Sequence, residues 1–183
     1  LRNKEGFDFE MVYYNSDGNQ SSMCGNGGRC IVAFANDIGL IGENCRFLAV
    51  DGPHEANAIN TEYGEWISLK MIDVDTIEKG PGYCFINTGS PHYVAFESNL
   101  KKFDIIEKAR LIRYNGRFRE EGTNVNFISL EEDKLHIRTY ERGVEDETLA
   151  CGTGVTAAVL AAHATGQFKG IELDVVAQGG FLK

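Results

Sequence analysis

A five-residue motif occurs twice in the chain, and this repeat constrains the fold more than any other feature. Residues 23–27, Met-Cys-Gly-Asn-Gly, align with residues 150–154, Ala-Cys-Gly-Thr-Gly, so that the cysteine and both glycines are in register. An alanine-containing stretch with helical spacing of its apolar residues follows each copy. The repeat predicts two similar halves, each rich in β-strands around one central helix, with Cys24 or Cys151 at the amino-terminal end of that helix.

The predicted elements support this division. An acidic stretch at residues 73–82 contains Gly-Pro-Gly and marks the boundary. Before it, the patterns predict strands at 8–15 and 45–50, a helix at 30–38 and a hairpin at 54–59 and 65–71. After it, they predict strands at 83–87 and 93–97, a helix at 104–114, a hairpin at 124–130 and 134–140, and a helix at 155–165. We therefore expect an α+β fold with one domain at residues 1–71 and another at residues 72–183.

Charge and composition exclude several classes of protein. The net charge of −9 repels phosphate backbones, so nucleic acid is a poor candidate partner. No apolar run approaches the roughly 20 residues that a membrane-spanning helix needs, so no membrane partner is expected. The five cysteines include no Cys-x-x-Cys spacing and the four histidines are scattered, so neither a disulfide framework nor a metal site is indicated. Reduced thiols are typical of the cytoplasm, where we expect the protein.

The repeated motif indicates acid–base chemistry by cysteine. The start of a helix presents N–H groups without intrahelical acceptors and a partial positive charge, which favours a thiolate. Glycines at the same place allow those N–H groups to approach a ligand carboxylate. Two such helix starts suit a reaction that removes a proton from one face of a carbon and returns one to the other. A single such motif is more often structural, but its repetition favours a functional role. The remaining thiols, Cys30, Cys45 and Cys84, lie outside the repeat, and we assign them to packing.

Three other polar features are weaker evidence for a functional role. His92 follows Gly-Ser-Pro in a predicted turn, where it either assists proton transfer or, as is commoner for a turn histidine, only forms a hydrogen bond. The adjacent Glu141 and Arg142 either bind an amino-acid zwitterion or form a surface pair. The acidic run at residues 145–147 is expected to be a solvated loop.

Six motifs follow one another in a characteristic order. They are Asn15-x-Asp17-Gly18, residues 23–27 with Arg29-Cys30, Gly89-Ser90-Pro91-His92, residues 124–127, Glu141-Arg142-Gly143 and residues 148–154. In this order they resemble the diaminopimelate epimerase family across essentially the whole chain. The Asn of Cys-Gly-Asn-Gly also distinguishes the chain from the similar proline racemases, which have His there. The resemblance implies two pseudo-symmetric domains, each a curved sheet or barrel around a central helix, with the active site in the cleft between them.

The resemblance also assigns roles to individual residues. Cys24 and Cys151 correspond to the base and acid that exchange roles with reaction direction, and His92 and Glu141 to groups that tune them. Main-chain N–H groups would hold the substrate α-carboxylate at Gly25, Asn26, Gly152 and Thr153. The distal end of the substrate would be recognised by Asn15, Ser90, Asn124 and Arg142. Ser90 stands where the family more often has Asn, and the loop at residues 145–147 is one residue longer than usual.

The implied function is the epimerisation of L,L-diaminopimelate to the meso form, a step in lysine and peptidoglycan precursor biosynthesis, without pyridoxal phosphate, metal or another cofactor. Two alternatives stay open: a racemase or epimerase of another amino acid on the same fold, and a non-catalytic module that binds a small dicarboxylate. The substrate is the expected small-molecule partner, and a homodimer is compatible with the sequence. Counterparts of the family's opening segment and closing strand are absent, so we expect the chain to be the middle of a longer protein.

Overall fold

The computed structural model describes residues 1–14, 18–20, 23–62, 64–102 and 104–183. These residues form two compact units, Leu1–Ile72 and Asp73–Lys183, each with its own sheet and hydrophobic core. The division into domains at 1–71 and 72–183 stays a prediction for the protein as a whole. In the described part of the chain, no helix is long and apolar enough to cross a membrane.

The first unit packs one helix on a four-stranded sheet. Its elements are β1 (Phe9–Glu10), α1 (Gly25–Asp37), β2 (Asn44–Ala49), β3 (Gly52–Thr61) and β4 (Gly64–Leu69). The sheet order is β1-β2-β3-β4, with β1 parallel to β2 and the other pairs antiparallel. Every second residue of β2 is buried, and Phe47 belongs to the same core as Val32 and Ala35 of α1.

The first unit differs from the sequence prediction at β1 and at the start of α1. Of the strand predicted at 8–15, the described residues 8–14 contribute Phe9–Glu10 to the sheet, where they pair with β2. The helix begins at Gly25 rather than at 30, because glycines have a low helix propensity and obscured the first turn. Gly28 leaves room for two core side chains, since a Cβ there would lie 2.7 Å from Met23 Cε and 2.8 Å from Leu69 Cδ2.

A buried histidine links the start of β3 to the end of β4. His54 is 2% exposed and stacks on Phe47, with 5.4 Å between the ring centroids. Its Nε2 lies 2.9 Å from Asp51 Oδ1, and its Nδ1 lies 2.9 Å from the carbonyl oxygen of Lys70. Both partners accept hydrogen bonds, so the ring donates to both only when it carries a proton on each nitrogen. Burial alone would lower the pKa of His54, but the bonds to Asp51 and Lys70 raise it above its usual value.

We expect the His54–Asp51 pair to stabilise the fold more in mild acid than in mild base. Because the pKa of His54 is raised in the folded state, its contribution is complete below the unfolded pKa and is lost as pH rises through the folded pKa. Asp51→Asn should therefore lower the free energy of unfolding by about 1.5–3 kcal/mol at about pH 5 and by less at about pH 8, measured by urea denaturation. The exposed His163, changed to Gln, serves as the control. An equal loss at both pH values for Asp51→Asn would contradict the charged pair.

The second unit is a larger mixed sheet with two long helices. Its strands are β5 (Ile77–Gly80), β6 (Tyr83–Asn87), β7 (Pro91–Phe96), β8 (Asn124–Glu131), β9 (Lys134–Glu141), β10 (Asp146–Thr148), β11 (Val175–Ala177) and β12 (Gly180–Leu182). Its helices are α2 (Ile105–Arg113) and α3 (Gly152–Ala164), with a 3₁₀ turn at Leu100–Lys102. The sheet order is β12-β11-β9-β8-β7-β6-β5, and β10 pairs with β9 beside this path. Two of the pairs are parallel, namely β7 with β8 and β9 with β11.

The two helices cover opposite faces of β8. Val125 and Phe127 belong to the core that β8 shares with α2, whereas Ile128 belongs to the core that it shares with α3. Successive side chains of a strand point to opposite faces, so β8 is buried on both. The inner face of α3 consists of small residues that allow close approach to the sheet, namely Ala157, Ala158, Ala161 and Ala162, all 0% exposed. The helix predicted at 155–165 is confirmed, with an earlier start at Gly152.

Two features of this unit were not predicted from the sequence, because pairing partners distant in sequence decide the structure. The acidic stretch at 73–82 contains β5, which pairs with β6 through a tight turn at Pro81 and Gly82. Gly82 has a φ of 75°, which glycine adopts without strain, and proline before it suits a type II turn. His92 lies within β7 rather than in a turn, because β7 begins at Pro91 and pairs on both sides.

The acidic run at 145–147 is not a solvated loop. Asp146–Thr148 forms β10 on the edge of β9. Glu147 makes a bidentate pair with Arg138, at 2.6 Å and 2.7 Å, and Glu145 pairs with Arg113 at 3.0 Å. The two glutamates are therefore paired with basic residues from other elements, which the local sequence does not reveal.

Candidate functional site

The first helix start is built around Cys24. Cys24 is the N-cap residue of α1, with extended backbone angles and a half-buried side chain. Its Sγ accepts a hydrogen bond from the N–H of Gly27 at 3.3 Å, and its carbonyl oxygen accepts one from Gly28 at 2.8 Å. The sulfur thus occupies the place of a capping oxygen, where the amide dipoles of the helix favour negative charge.

The second helix start has the same plan with different contacts. Cys151 is the N-cap residue of α3, again with extended backbone angles, and is buried. Its Sγ lies 3.4 Å from the hydroxyl of Thr153 rather than on a backbone N–H. Thr153 is 3% exposed, and its carbonyl oxygen accepts a hydrogen bond from Thr88 Oγ1 at 2.9 Å. The start of α3 is therefore held firmly against the sheet.

The other cysteines differ from these two. Burial raises the pKa of Cys45 to about 11, and burial also raises the pKa of Cys84, so both stay thiols within their cores. The packing role predicted for Cys45 and Cys84 is confirmed. It is wrong for Cys30, which lies exposed on the outer face of α1 because the helix register turns it away from the sheet.

His92 is fully buried beside the start of α3. Its Nε2 lies 2.9 Å from Thr153 Oγ1, and its Nδ1 lies 3.0 Å from Asn126 Nδ2. Burial and the charge of Arg142 together lower the pKa of His92 to about 3, so the ring is neutral at physiological pH. A neutral ring donates through one nitrogen and accepts through the other. Its Nε2 contacts the Thr153 hydroxyl, which in turn contacts the sulfur of Cys151.

Three of the residues predicted to recognise the distal end of the substrate lie together. Asn124 Nδ2 donates to Ser90 Oγ at 2.9 Å, and Asn124 Oδ1 accepts from the backbone N–H of Arg142 at 2.9 Å. The guanidinium of Arg142 reaches Ser90 Oγ at 3.5 Å and the carbonyl oxygen of Glu121 at 2.9 Å. Burial lowers the pKa of Arg142, and no carboxylate of a described residue pairs with it. A half-buried cation in this situation suits an anionic ligand group.

The backbone around Arg142 is held by a second arginine. Arg113 pairs with Glu145, and Glu145 also accepts hydrogen bonds from Tyr114 at 2.9 Å and from the N–H of Gly143 at 3.2 Å. A Cβ on Gly122 would lie 2.6 Å from Arg142 Cδ, which shows how closely the chain passes this side chain.

The structure places the other predicted site residues as follows. Glu141 ends β9 with a half-buried carboxylate that accepts no hydrogen bond from a described residue. Gly25 and Gly152 form the first turns of α1 and α3. Asn26 accepts a hydrogen bond from Arg29 Nη2 at 2.5 Å. Asn15 lies outside the described residues.

Two buried polar residues behind this site were not predicted from the sequence. Asn126 is 0% exposed and Thr139 is 3% exposed, and they are joined by a 2.9 Å hydrogen bond between β8 and β9. The signal was the alternation Asn-Val-Asn-Phe, which places Asn124 and Asn126 on one face of a strand. Among the described residues, no group of three or more His, Cys, Asp or Glu side chains is arranged to hold a metal ion.

Comparison with structures of other proteins identifies the fold. The chain superposes on a PhzF-family phenazine biosynthesis protein from Bacillus anthracis with a TM-score of 0.70 and 15% identity, over 97% of this chain and 72% of that chain. It superposes on a hydroxyproline epimerase from Agrobacterium vitis with a TM-score of 0.67 and 15% identity, over 93% of this chain and 60% of that one. The predicted α+β fold of the diaminopimelate epimerase type is thereby confirmed.

Comparison of sequences identifies the family. The family model for diaminopimelate epimerase matches residues 84–183. The diaminopimelate epimerases of Flavobacterium psychrophilum and Chlorobaculum tepidum are 47% and 44% identical over 100% and 91% of this chain, and over 71% and 67% of their own lengths. That of Aquifex aeolicus is 40% identical over 94% of this chain and 64% of its own length. The chain thus spans about two thirds of the curated relatives that it matches, and it belongs to the diaminopimelate epimerase family.

Proposed function

We propose that the complete protein is an isomerase that interconverts L,L-diaminopimelate and meso-diaminopimelate, in the supply of lysine and peptidoglycan precursors. The observation that carries this proposal is that a cysteine with extended backbone angles occupies the N-cap position of a helix in each unit. Family membership supports the choice of substrate.

The proposed reaction is a proton exchange at one α-carbon. The thiolate of one cysteine takes the α-proton, so that the C–H bond breaks, an S–H bond forms and the electron pair stays on carbon. The thiol of the other cysteine gives its proton to the opposite face, so that its S–H bond breaks and a new C–H bond forms. Cys24 and Cys151 exchange these roles when the direction reverses.

Helix starts would stabilise the charges that this reaction creates. Main-chain N–H groups of the first turns bind the α-carboxylate, and the positive ends of α1 and α3 favour both the thiolate and the carbanionic carbon. Glycine at positions 25 and 152 lets a ligand approach the backbone at this point.

The distal end of the substrate would bind at the cluster around Arg142. The guanidinium has no carboxylate partner among the described residues, and Ser90 and Asn124 lie next to it. A carboxylate at this place would complete the hydrogen bonding of a half-buried cation. Asn15 keeps its predicted role in the same recognition, and Glu141 its predicted role in tuning a thiol.

Two thiols carry both proton transfers, so the reaction as proposed uses no pyridoxal phosphate or metal. None of the five cysteines forms a disulfide, which suits a cytoplasmic enzyme. A homodimer stays compatible with the proposal.

The test is incubation of the complete protein with L,L-diaminopimelate in deuterium oxide. We expect the meso form to accumulate with one deuterium at the inverted α-carbon, measured by chiral chromatography and mass spectrometry. The same assay with an amino acid that lacks the distal carboxylate should give little turnover. Faster turnover of that second substrate would favour a racemase of another amino acid, and tight binding of diaminopimelate without deuterium uptake would favour the binding module.

A further inference from the structure

Asn126 lies behind the site and is fully buried between β7 and β9. Its amide has three neighbours: the carbonyl oxygen of Tyr93 at 3.1 Å, the hydroxyl of Thr139 at 2.9 Å and Nδ1 of His92 at 3.0 Å. A carbonyl oxygen only accepts hydrogen bonds, so the amide atom that faces Tyr93 is the nitrogen. The orientation of the Asn126 side chain is therefore fixed by the backbone of β7.

This orientation fixes the protonation of the histidine ring. The same Asn126 nitrogen that faces Tyr93 also faces His92 Nδ1, so Nδ1 must accept a hydrogen bond. The proton of the neutral ring is then on Nε2, which donates to Thr153 Oγ1 at 2.9 Å. The neutral state agrees with the lowered pKa of His92.

The hydrogen bond from His92 leaves the hydroxyl hydrogen of Thr153 available for the next contact. Thr153 Oγ1 accepts from His92, so its own hydrogen is available to the sulfur of Cys151 at 3.4 Å. A hydroxyl that donates to sulfur stabilises the thiolate, whereas a hydroxyl that accepts from S–H stabilises the thiol. Space at this point is fully used, since a Cβ on Gly154 would lie 2.6 Å from Asn126 Oδ1 and 3.3 Å from the Cβ of Cys151.

We propose that Asn126 is a positioning residue that acts on Cys151 through His92 and Thr153. By holding the ring in the form protonated on Nε2, it turns the Thr153 hydroxyl hydrogen toward the sulfur and favours the thiolate. The inference deepens the proposed function, because it concerns one of the two thiols of that site. Asn126 itself touches neither the sulfur nor a substrate atom.

The first test measures the thiol directly, without turnover. In the complete protein, alkylation of Cys151 by iodoacetamide is followed from about pH 6 to pH 10 by peptide mass mapping. Asn126→Leu should move the midpoint of the Cys151 profile upward by about one pH unit, which is a roughly tenfold slower alkylation at neutral pH. The profile of Cys24, at the start of α1, should not move. Arg142, the charged group that acts on His92, is kept in every variant.

Thr139→Val is the matched control. It removes a hydrogen bond from the same buried amide, and the contact of Asn126 with Tyr93 that fixes the ring is left in place. We expect it to lower thermal stability as Asn126→Leu does and to leave the Cys151 profile within about 0.3 units of the wild type. Equal shifts in both variants, or no shift in either, would overturn the proposal.

A second measurement needs no variant. The ¹⁵N chemical shifts of the His92 ring in the wild-type protein should show a proton on Nε2 and a bare Nδ1. A proton on Nδ1 would overturn the proposal even if Asn126→Leu fails to fold. If Asn126→Leu shifts the Cys151 profile but the wild-type protein does not epimerise diaminopimelate, the proposed function is refuted and this inference stands. If the protein epimerises diaminopimelate but the profile does not shift, this inference is refuted and the proposed function stands.

Discussion

Cys151→Ala is expected to reduce epimerisation of diaminopimelate by at least about 100-fold, because a positioned acid or base typically contributes that much or more. The thiol is the only group proposed for its face of the carbon, so nothing else replaces it. Cys24→Ala should be equally damaging. The corresponding serine variants should recover little, because a hydroxyl ionises far less readily than a thiol at the same helix start. Rates are measured by deuterium uptake and by formation of the meso form in the complete protein.

The controls for this prediction are the two core thiols. Cys84→Ala removes a buried sulfur from the same unit as Cys151, and Cys45→Ala removes one from the same unit as Cys24. Both should lower the thermal midpoint and leave turnover nearly unchanged. Turnover within a few-fold of the wild type in either Cys24→Ala or Cys151→Ala would refute the exchange of protons between two thiols.

The second large effect is expected for Arg142→Lys, with a rise in KM of about 10- to 100-fold, as the loss of a charge-assisted hydrogen bond implies. Lysine keeps the charge but has no planar fork. The arginine reaches the Glu121 carbonyl with one nitrogen and the Ser90 hydroxyl with the other, and a single ammonium does not span both. The value of kcat should change much less than KM, since this contact is made equally in the ground state and the transition state.

Arg138→Lys provides the comparison for Arg142→Lys. Arg138 also makes a two-point contact, with Glu147 in the same unit, but it has no predicted role in the site. We expect a loss of stability and an unchanged KM for diaminopimelate. If KM is unchanged in Arg142→Lys as well, the distal carboxylate binds elsewhere.

The sequence predicted the central helices and the cysteines that cap them, because both depend on local signals. Helical spacing of apolar residues persists along α1 and α3, and the repeat of Cys-Gly-x-Gly marks their starts. The predicted first residues of both helices lie C-terminal to the observed ones. Glycine is unfavourable in a helix taken alone, and its presence at Gly28 reflects packing against Met23 and Leu69, which no local pattern contains.

The features that were missed depend on residues far apart in the chain. His92 precedes its partner Asn126 by 34 residues, and the pairing of β7 with β8 is what buries both. Glu145 and Glu147 belong to a run that is acidic in sequence, but arginines from α2 and β9 lie beside them in the fold. In each case a polar residue is buried by tertiary pairing, and its environment is not encoded in its neighbours.

The hydrogen bonds around Ser90 determine whether its hydroxyl can donate to a ligand in the proposed distal site or accept from one. Its oxygen lies within reach of two donors, Asn124 Nδ2 at 2.9 Å and Arg142 Nη2 at 3.5 Å, which together occupy both lone pairs. The hydroxyl therefore retains only its hydrogen to offer. An asparagine, by contrast, would bring an oxygen and a nitrogen, and by rotation of its amide could present either one. In the proposed distal site, the Ser90 hydroxyl would therefore donate a hydrogen bond to a carboxylate and would not accept one from an ammonium group.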